Sequence, residues 1–146
     1  MSLDADVQRL SRVALFADLP PDAQRLLAFS AETLTLAAGE VLFEHGQASD
    51  GAYLVLSGAI GFNGGAKGYA AGPDCLVGEM ALLAATERPA TARAAQPSTL
   101  MKISRMLFQR VMQEFPDAAV RLHQRQASRL AGFTRELEAA RQRHPD

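Results

Sequence analysis

Residues 78–91 read Gly-Glu-Met-Ala-Leu-Leu-Ala-Ala-Thr-Glu-Arg-Pro-Ala-Thr, a stretch that combines an acid, a run of small residues and a single arginine. A short helix after Gly78 would direct unpaired N–H groups and the positive end of its dipole toward an anion. Arg88 would give the same anion a charge-assisted hydrogen bond. Glu79 would be repelled there unless its carboxylate faced a hydroxyl group of the ligand. The stretch therefore indicates a site for a small phosphate ester that carries a sugar hydroxyl.

The segments on either side of this stretch are short and alternate in character. Glycines and prolines separate them, which is typical of antiparallel strands joined by turns. Because no long helices lie between them, a parallel α/β sheet is not expected. The pattern predicts an antiparallel sandwich or roll over residues 31–103, with strands at residues 33–36, 41–43, 52–56, 59–62, 68–71, 91–95 and 100–103.

Helical spacing of apolar residues flanks the strand-rich region on both sides. One helix is predicted over residues 4–16, and a pair of prolines at 20 and 21 precedes a second short helix. Ser104 is an expected N-cap, and Pro116 is the expected first residue of a last helix that reaches about Arg141. The apolar stripe of this last helix either packs on its own sheet or forms a dimer seam, and both remain open. The stripe comprises Ala119, Leu122, Gln126, Leu130, Phe133, Leu137 and Ala140.

Length and composition are those of one folded domain. The chain has 146 residues, of which 48% are hydrophobic and 21% charged, so wholesale disorder is excluded. We expect residues 1–146 to form a single domain, with helices over 1–30, strands over 31–103 and closing helices over 104–142. The formal net charge of −1 argues against direct binding of nucleic acid.

Apolar runs and cysteine content bear on the compartment. No run approaches the roughly 20 apolar residues of a membrane span, and the start of the chain does not resemble a secretion signal. The single Cys75 cannot form an internal disulfide and is expected to be a small buried residue. The cytoplasm is the expected compartment.

Residues 78–91 resemble the phosphate-binding cassette of cyclic-nucleotide-binding domains, in which Gly-Glu-x-Ala-Leu is followed by Arg-x-Ala-Thr or Arg-x-Ala-Ser. Residues 38–46 and 50–58 are similar to the first hairpin of that family and to the strand and turn that follow it. The resemblance, to the catabolite activator and protein kinase A regulatory subunit type of sensor, implies a mainly β fold with flanking helices. Its core would be an eight-stranded antiparallel double-stranded β-helix, a jelly-roll-like β-roll, with N-terminal helices and two C-terminal helices.

The same resemblance implies a cyclic nucleotide as ligand. It assigns Arg88 to the phosphate and Glu79 to the ribose 2′-hydroxyl, against the alternative that the two form an exposed ion pair on a loop. Pro89 departs from the family because it has no N–H and no hydroxyl, so one donor to the phosphate is missing. Members selective for cGMP tend to carry threonine there, so Pro89 favours cAMP or weak discrimination from cGMP. The cassette residues implied in binding are Gly78, Glu79, Met80, Ala81, Arg88, Pro89, Ala90 and Thr91.

A base-contacting pair in the closing helix corresponds by resemblance to Phe133 and Thr134. Phe133 would stack on the purine and Thr134 would hydrogen-bond to it. The alternative for Phe133 is ordinary packing in the core or in a dimer seam.

The sequence shows neither a paired nucleophile and base nor metal spacing among its histidines, so we expect no catalytic residues, no metal and no cofactor. The expected function is a cyclic-nucleotide sensor or regulatory module, without an output domain in this chain. It would act through an unknown effector partner or as a homodimer joined by the C-terminal helix. The alternative is a degenerate fold that serves as a protein-interaction scaffold and binds no nucleotide.

Overall fold

The described residues form eight strands, arranged in two antiparallel sheets. The computed structural model describes residues 3–63 and 70–124, and the sheets are built from these residues. One sheet has the order β1-β8-β3-β6 and the other β2-β7-β4-β5. The mainly β class with antiparallel pairing is confirmed. The strands are β1 (Glu32–Leu36), β2 (Val41–Phe43), β3 (Gly51–Ser57), β4 (Ile60–Phe62), β5 (Ala70–Ala71), β6 (Leu76–Val77), β7 (Ala92–Ala94) and β8 (Ser98–Ser104).

The sequence did not predict β6. Two residues are too few to show alternation, and β6 forms only because Tyr53 and Leu54 of β3 pair with Val77 and Leu76. The turn before β6 also corrects the prediction for Cys75, which is exposed. Its N–H donates to the carbonyl of Gly72 across that turn, and the side chain lies outside the core.

Three helices, not two, precede the sheets: α1 (Leu3–Ser11), α2 (Ala14–Ala17) and α3 (Pro21–Ser30). The single helix predicted over residues 4–16 is wrong because Val13 adopts an extended conformation, with φ −82° and ψ 125°. The break allows Leu10 and Phe16 both to be fully buried.

Two further helices are α4 (Met80–Leu83) and α5 (Arg105–Glu114). The predicted N-cap of α5 is confirmed, since the N–H of Leu107 donates to Oγ of Ser104 at 3.0 Å. The Phe108 ring of α5 lies 6.0 Å from that of Phe16. None of the helices among the described residues is both long and apolar enough to cross a membrane.

β3 is the central strand of the core. Its residues from Gly51 to Leu56 are all buried, so it reads as a continuous apolar run. Tyr53 and Val55 face a cluster shared by both sheets, and the alternate residues point to the opposite side of the strand. β3 thereby fixes the backbone from which the candidate site is built. The cluster contains Phe43, Tyr53, Val55, Ile60, Ala71, Val77, Ala92, Ala94 and Leu100.

The backbone divides into two compact units between Val111 and Met112. In the second unit, residues 116–124 are helical, as predicted for a helix that begins at Pro116. Ala119 and Leu122 of the predicted apolar stripe lie in this segment and are partly buried. The other stripe residues, Phe133 among them, and Thr134 lie outside the described residues. The single-domain organisation stays a prediction.

Candidate functional site

The segment from Gly78 to Thr91, which we call the cassette, connects β6 to β7. Gly78 has a φ of +80°, and α4 follows as one helical turn. The N–H groups of Ala81 and Leu82 donate to the carbonyls of Gly78 and Glu79, at 3.0 and 3.1 Å. Two of the N–H groups that the sequence predicted to be unpaired are therefore engaged within the turn. This leaves Arg88 as the main positive group of the cassette.

The main chain of Arg88 is bonded on both sides to the segment before β3. Its N–H donates to the carbonyl of Gln47, and its carbonyl accepts from the N–H of Gly46, each at 2.8 Å. Nearby, the N–H of Ser49 donates to the carbonyl of Thr86 at 2.8 Å, and the two hydroxyl oxygens lie 3.0 Å apart. Because these contacts join distant parts of the chain, the position of Arg88 is set by tertiary structure.

The Arg88 side chain points into the protein and is only 4% exposed. Its Nη2 donates to the carbonyl of Gly51 at 2.8 Å. Its Cζ lies 4.2 Å from the ring centre of Phe43 and 5.8 Å from that of Tyr53. Stacking of a guanidinium on aromatic faces is favourable and more so when water is excluded. Two rings and one carbonyl thus hold the cation.

Gly78 provides the space that this guanidinium occupies. A Cβ atom at position 78 would lie 2.5 Å from Nη1 of Arg88, which is closer than any real contact of that kind. The positive φ would also strain any other residue type. The family resemblance implied Gly78 in ligand binding, and the structure adds that it makes room for the arginine.

Burial has an electrostatic cost at this arginine. Desolvation lowers the pKa of Arg88 from its ordinary value, with Tyr53 and Asp50 opposing the shift and Arg105 adding to it. Arginine nonetheless stays protonated in proteins. The counter-charge of Asp50 is weak here, because its Oδ1 lies 4.0 Å from Nη2. A buried cation with this little compensation would be stabilised by an anion placed beside it.

Asp50 is bound more closely by Lys102 than by Arg88. Nζ of Lys102 donates to Oδ2 of Asp50 at 3.0 Å, and this hydrogen bond is the main reason that the pKa of Asp50 is lowered. Burial acts against the charge of Lys102, yet the bond to Asp50 leaves its pKa raised. The sequence did not predict either as a site residue. The two residues come together because β3 and β8 pair with Gly51 opposite Ser104. That register cannot be read from local sequence.

The remaining predicted residues of α4 differ in exposure. Glu79 is the N-cap residue of α4, partly buried and without a side-chain capping hydrogen bond. Met80 is 61% exposed, whereas Ala81 is 2% exposed and packs in the interior. Met80 therefore presents a side chain to solvent at the start of α4, and Ala81 contributes shape.

The last three predicted cassette residues lie just before β7. Pro89 is exposed and Ala90 is partly buried. The hydroxyl of Thr91 accepts a hydrogen bond from the N–H of His45 at 3.0 Å. Thr91 thus also anchors the neighbouring hairpin, a structural role that the sequence analysis did not predict.

A cavity of about 550 Å³ lies elsewhere in the first unit. All of its described lining residues fall outside the cassette, so it does not coincide with the predicted anion site. It is lined by Ser30, Glu32, Asp50, Lys102, Ser104, Arg105, Met106, Leu107 and Gln109.

Comparison with known proteins identifies the family. The family model of the cyclic nucleotide-binding domain matches residues 33–115, which is more than half of the chain. The chain belongs to the cyclic nucleotide-binding domain family. The matched region includes the cassette and all but the first residue of the two sheets, so the family assignment and the buried arginine concern the same part of the molecule.

Individual relatives agree with this assignment. The chain is similar to a cAMP-dependent protein kinase regulatory subunit of Yarrowia lipolytica, with 32% identity over 111 residues that cover 75% of this chain and 30% of the relative. A cyclic nucleotide-binding-like protein from Brucella abortus has 41% identity and a TM-score of 0.68, covering 75% of this chain and 99% of that one. The N-terminal domain of a transcriptional regulator from Streptomyces coelicolor A3(2) has 28% identity and a TM-score of 0.78, covering 88% and 94%.

Proposed function

We propose that this cyclic nucleotide-binding domain is a cAMP sensor in which Arg88 binds the cyclic phosphate and Glu79 binds the ribose 2′-hydroxyl. The observation that carries the proposal is the burial of Arg88, whose side chain is 4% exposed. Its guanidinium donates to the Gly51 carbonyl and lies 4.0 Å from the carboxylate of Asp50. Gly78 lies directly beside Nη1. The cation is thus prepared within the cassette before a ligand arrives.

A phosphodiester would interact with Arg88 more strongly than the Gly51 carbonyl does. Its oxygens carry a full negative charge, so each N–H···O contact would be charge-assisted on both sides. The low polarity around Phe43 and Tyr53 would strengthen that attraction. Exchange of the carbonyl for the phosphate is therefore the binding step that we propose for Arg88.

Glu79 and Pro89 set what else the ligand must offer. Glu79 is the N-cap residue of α4, and an acid in that place suits a hydroxyl donor better than a second anion. Pro89 contributes no N–H to the phosphate. We therefore propose that cAMP binds in preference to cGMP, with lower affinity than a cassette with an N–H at this position.

Further parts of the proposal follow the family resemblance. The two sheets would wrap as a β-roll, and two closing helices would follow it, with Phe133 and Thr134 at the base. The domain would act in the cytoplasm as a regulatory module without catalysis, through a homodimer or an effector protein. The chain spans 30% of the length of its kinase regulatory relative, so the regulated output belongs to this proposal as well.

A second candidate function is a protein-interaction scaffold that no longer binds nucleotide. The observation that favours it is the same bond from Arg88 to Gly51, since an arginine that binds a backbone carbonyl and packs on two rings can serve the fold without a ligand. The two functions differ in thermal stabilisation. A ligand at 100 times its dissociation constant stabilises a protein by about 2.7 kcal/mol, whereas a scaffold would show no shift with cAMP or cGMP.

Titration calorimetry with cAMP and cGMP tests the proposal on the wild type, Arg88→Lys and Arg93→Lys. Lysine keeps the charge of Arg88 but loses the planar fork, so cAMP affinity should fall roughly tenfold or more. Arg93 is the matched control, because it is exposed and its Nη1 donates to the Gly39 carbonyl at 3.4 Å, away from the cassette arginine. Equal cAMP affinity in all three proteins would remove Arg88 from the site, and absence of binding in the wild type would favour the scaffold.

A further inference from the structure

Arg105, the first residue of α5, reaches back to the end of the cassette helix. Its Nη1 lies 3.0 Å from the carbonyl oxygen of Ala81, 3.1 Å from that of Ser49 and 3.3 Å from that of Ala84. One guanidinium nitrogen has two hydrogens, so at least one hydrogen is shared between two of the three acceptors. The side chain therefore joins the end of α4 to the segment before β3.

Two of the carbonyls that Arg105 binds, those of Ala81 and Ala84, are of the kind that a helix leaves unpaired at its C-terminal end. α4 has a single turn, and Ala84 departs from helical geometry with φ −155° and ψ 155°. An isolated turn of helix is unstable in water because nucleation costs more than one hydrogen bond returns. A cationic side chain at the C-terminal carbonyls compensates for part of this cost.

Arg105 also holds the backbone to which Arg88 is attached. Its own N–H donates to the carbonyl of Asp50 at 2.7 Å, and its side chain donates to that of Ser49. The next carbonyl, that of Gly51, accepts from Arg88. Three consecutive carbonyls thus bind two arginines, and Arg105 fixes both the end of α4 and the acceptor that orients Arg88.

We propose that Arg105 is a positioning residue of the cassette. It does not contact the ligand, and it acts by holding α4 against residues 49–51 so that Gly78 and Arg88 keep their places before binding. Its effect on nucleotide affinity rests on the proposed function, whereas its effect on α4 does not. Displacement of the Arg105 side chain would release α4 at one end and the carbonyl of Ser49 at the other.

The ligand-free protein gives the first test, by amide hydrogen exchange measured with NMR. In Arg105→Ala the N–H groups of Ala81, Leu82 and Ala84 should exchange at least about tenfold faster, since a lost charged hydrogen bond has an effect of that size. Amides in β3 should keep their rates. Arg110→Ala is the matched control, an exposed arginine of the same helix, and it should change neither set. Equal exchange rates at α4 in the two variants would overturn the proposal.

Calorimetry with cAMP on the same proteins gives the second test. Arg105→Ala should bind about tenfold more weakly than the wild type, Arg105→Lys should be intermediate, and Arg110→Ala should be unchanged. Wild-type affinity in Arg105→Ala would overturn the proposal even if α4 exchanged faster. If the wild type binds no cAMP, the proposed function fails, and the exchange result alone decides the role of Arg105. If Arg105→Ala does not fold, Arg105→Lys decides both tests. Lysine keeps the charge, but its single ammonium group cannot make the same set of hydrogen bonds.

Discussion

Arg88 and Arg105 donate hydrogen bonds to carbonyls two residues apart in the chain, those of Gly51 and Ser49. One arginine comes from the cassette and the other from the start of α5. Residues 49–51, where the chain enters β3, therefore act as a common anchor for both, and like charges are kept close together. Arg105 accordingly contributes to the lowering of the Arg88 pKa, after desolvation as the main cause. An anion at the cassette would offset both this repulsion and the desolvation cost of the buried Arg88 charge.

Gly78→Ala should lower both stability and ligand affinity. The new Cβ would sit 2.5 Å from Nη1 of Arg88, and a φ of +80° costs a residue with a side chain about 1–2 kcal/mol. Urea unfolding measures the first effect and calorimetry with cAMP the second. Gly72→Ala is the matched control, because a Cβ there meets nothing within 4 Å and its φ is not positive. Equal stability of the two variants would contradict the packing described at Gly78.

Asp50→Asn should lower stability at neutral pH and have less effect in acid. The hydrogen bond from Lys102 holds the pKa of Asp50 below its ordinary value, so this ion pair stabilises the fold at pH values above that ordinary pKa. The contribution is lost as the pH falls through the folded pKa. Because the Asp50 side chain is 66% exposed, the difference at neutral pH should be about 0–1 kcal/mol.

Urea unfolding of the wild type and Asp50→Asn across acidic and neutral pH measures this dependence. Asp22→Asn is the matched control, since Asp22 lies 4.0 Å from Arg25 and its side chain is 81% exposed. A gap between wild type and Asp50→Asn that widens on acidification would contradict the sign derived from the lowered pKa.

Pro89→Ala should raise the affinity for cyclic nucleotide. The substitution restores a backbone N–H next to Arg88, and one added hydrogen bond to a charged oxygen should raise the affinity about ten- to a hundredfold. Calorimetry with cAMP measures the change. Pro97→Ala, at another exposed proline in the turn before β8, should leave affinity as it is. A decrease in affinity at position 89 alone would show that the rigid ring, and not the missing donor, matters there.

The motif within residues 78–91 was sufficient to find the cassette, and the strand pattern was sufficient for the antiparallel class. Both depend on local spacing, which a sequence displays directly. The partners of Arg88 could not be found in this way. Phe43 and Gly51 contact Arg88 only because the chain folds, and no local pattern around them indicates a contact with residue 88.

Two other features escaped prediction for related reasons. The helix over residues 4–16 has a continuous apolar spacing, but burial of both Leu10 and Phe16 requires the break at Val13. The donors at the start of α4 were predicted to be unpaired, yet a single turn uses the N–H groups of Ala81 and Leu82 itself. Tertiary packing determined the break at Val13, and the short length of α4 determined which of its N–H groups are paired. Local propensity predicts neither.

The backbone bonds that fix Arg88 to Gly46 and Gln47 limit how this cassette can be transferred between proteins. A peptide of residues 78–91 would contain the recognition motif but would lack the second segment against which the arginine is aligned. A graft into another β-rich scaffold would need residues 46–51 as well, in the same register. The unit that an engineer could transplant is therefore a pair of segments distant in sequence, with Ser49 and Thr86 joined across their contact.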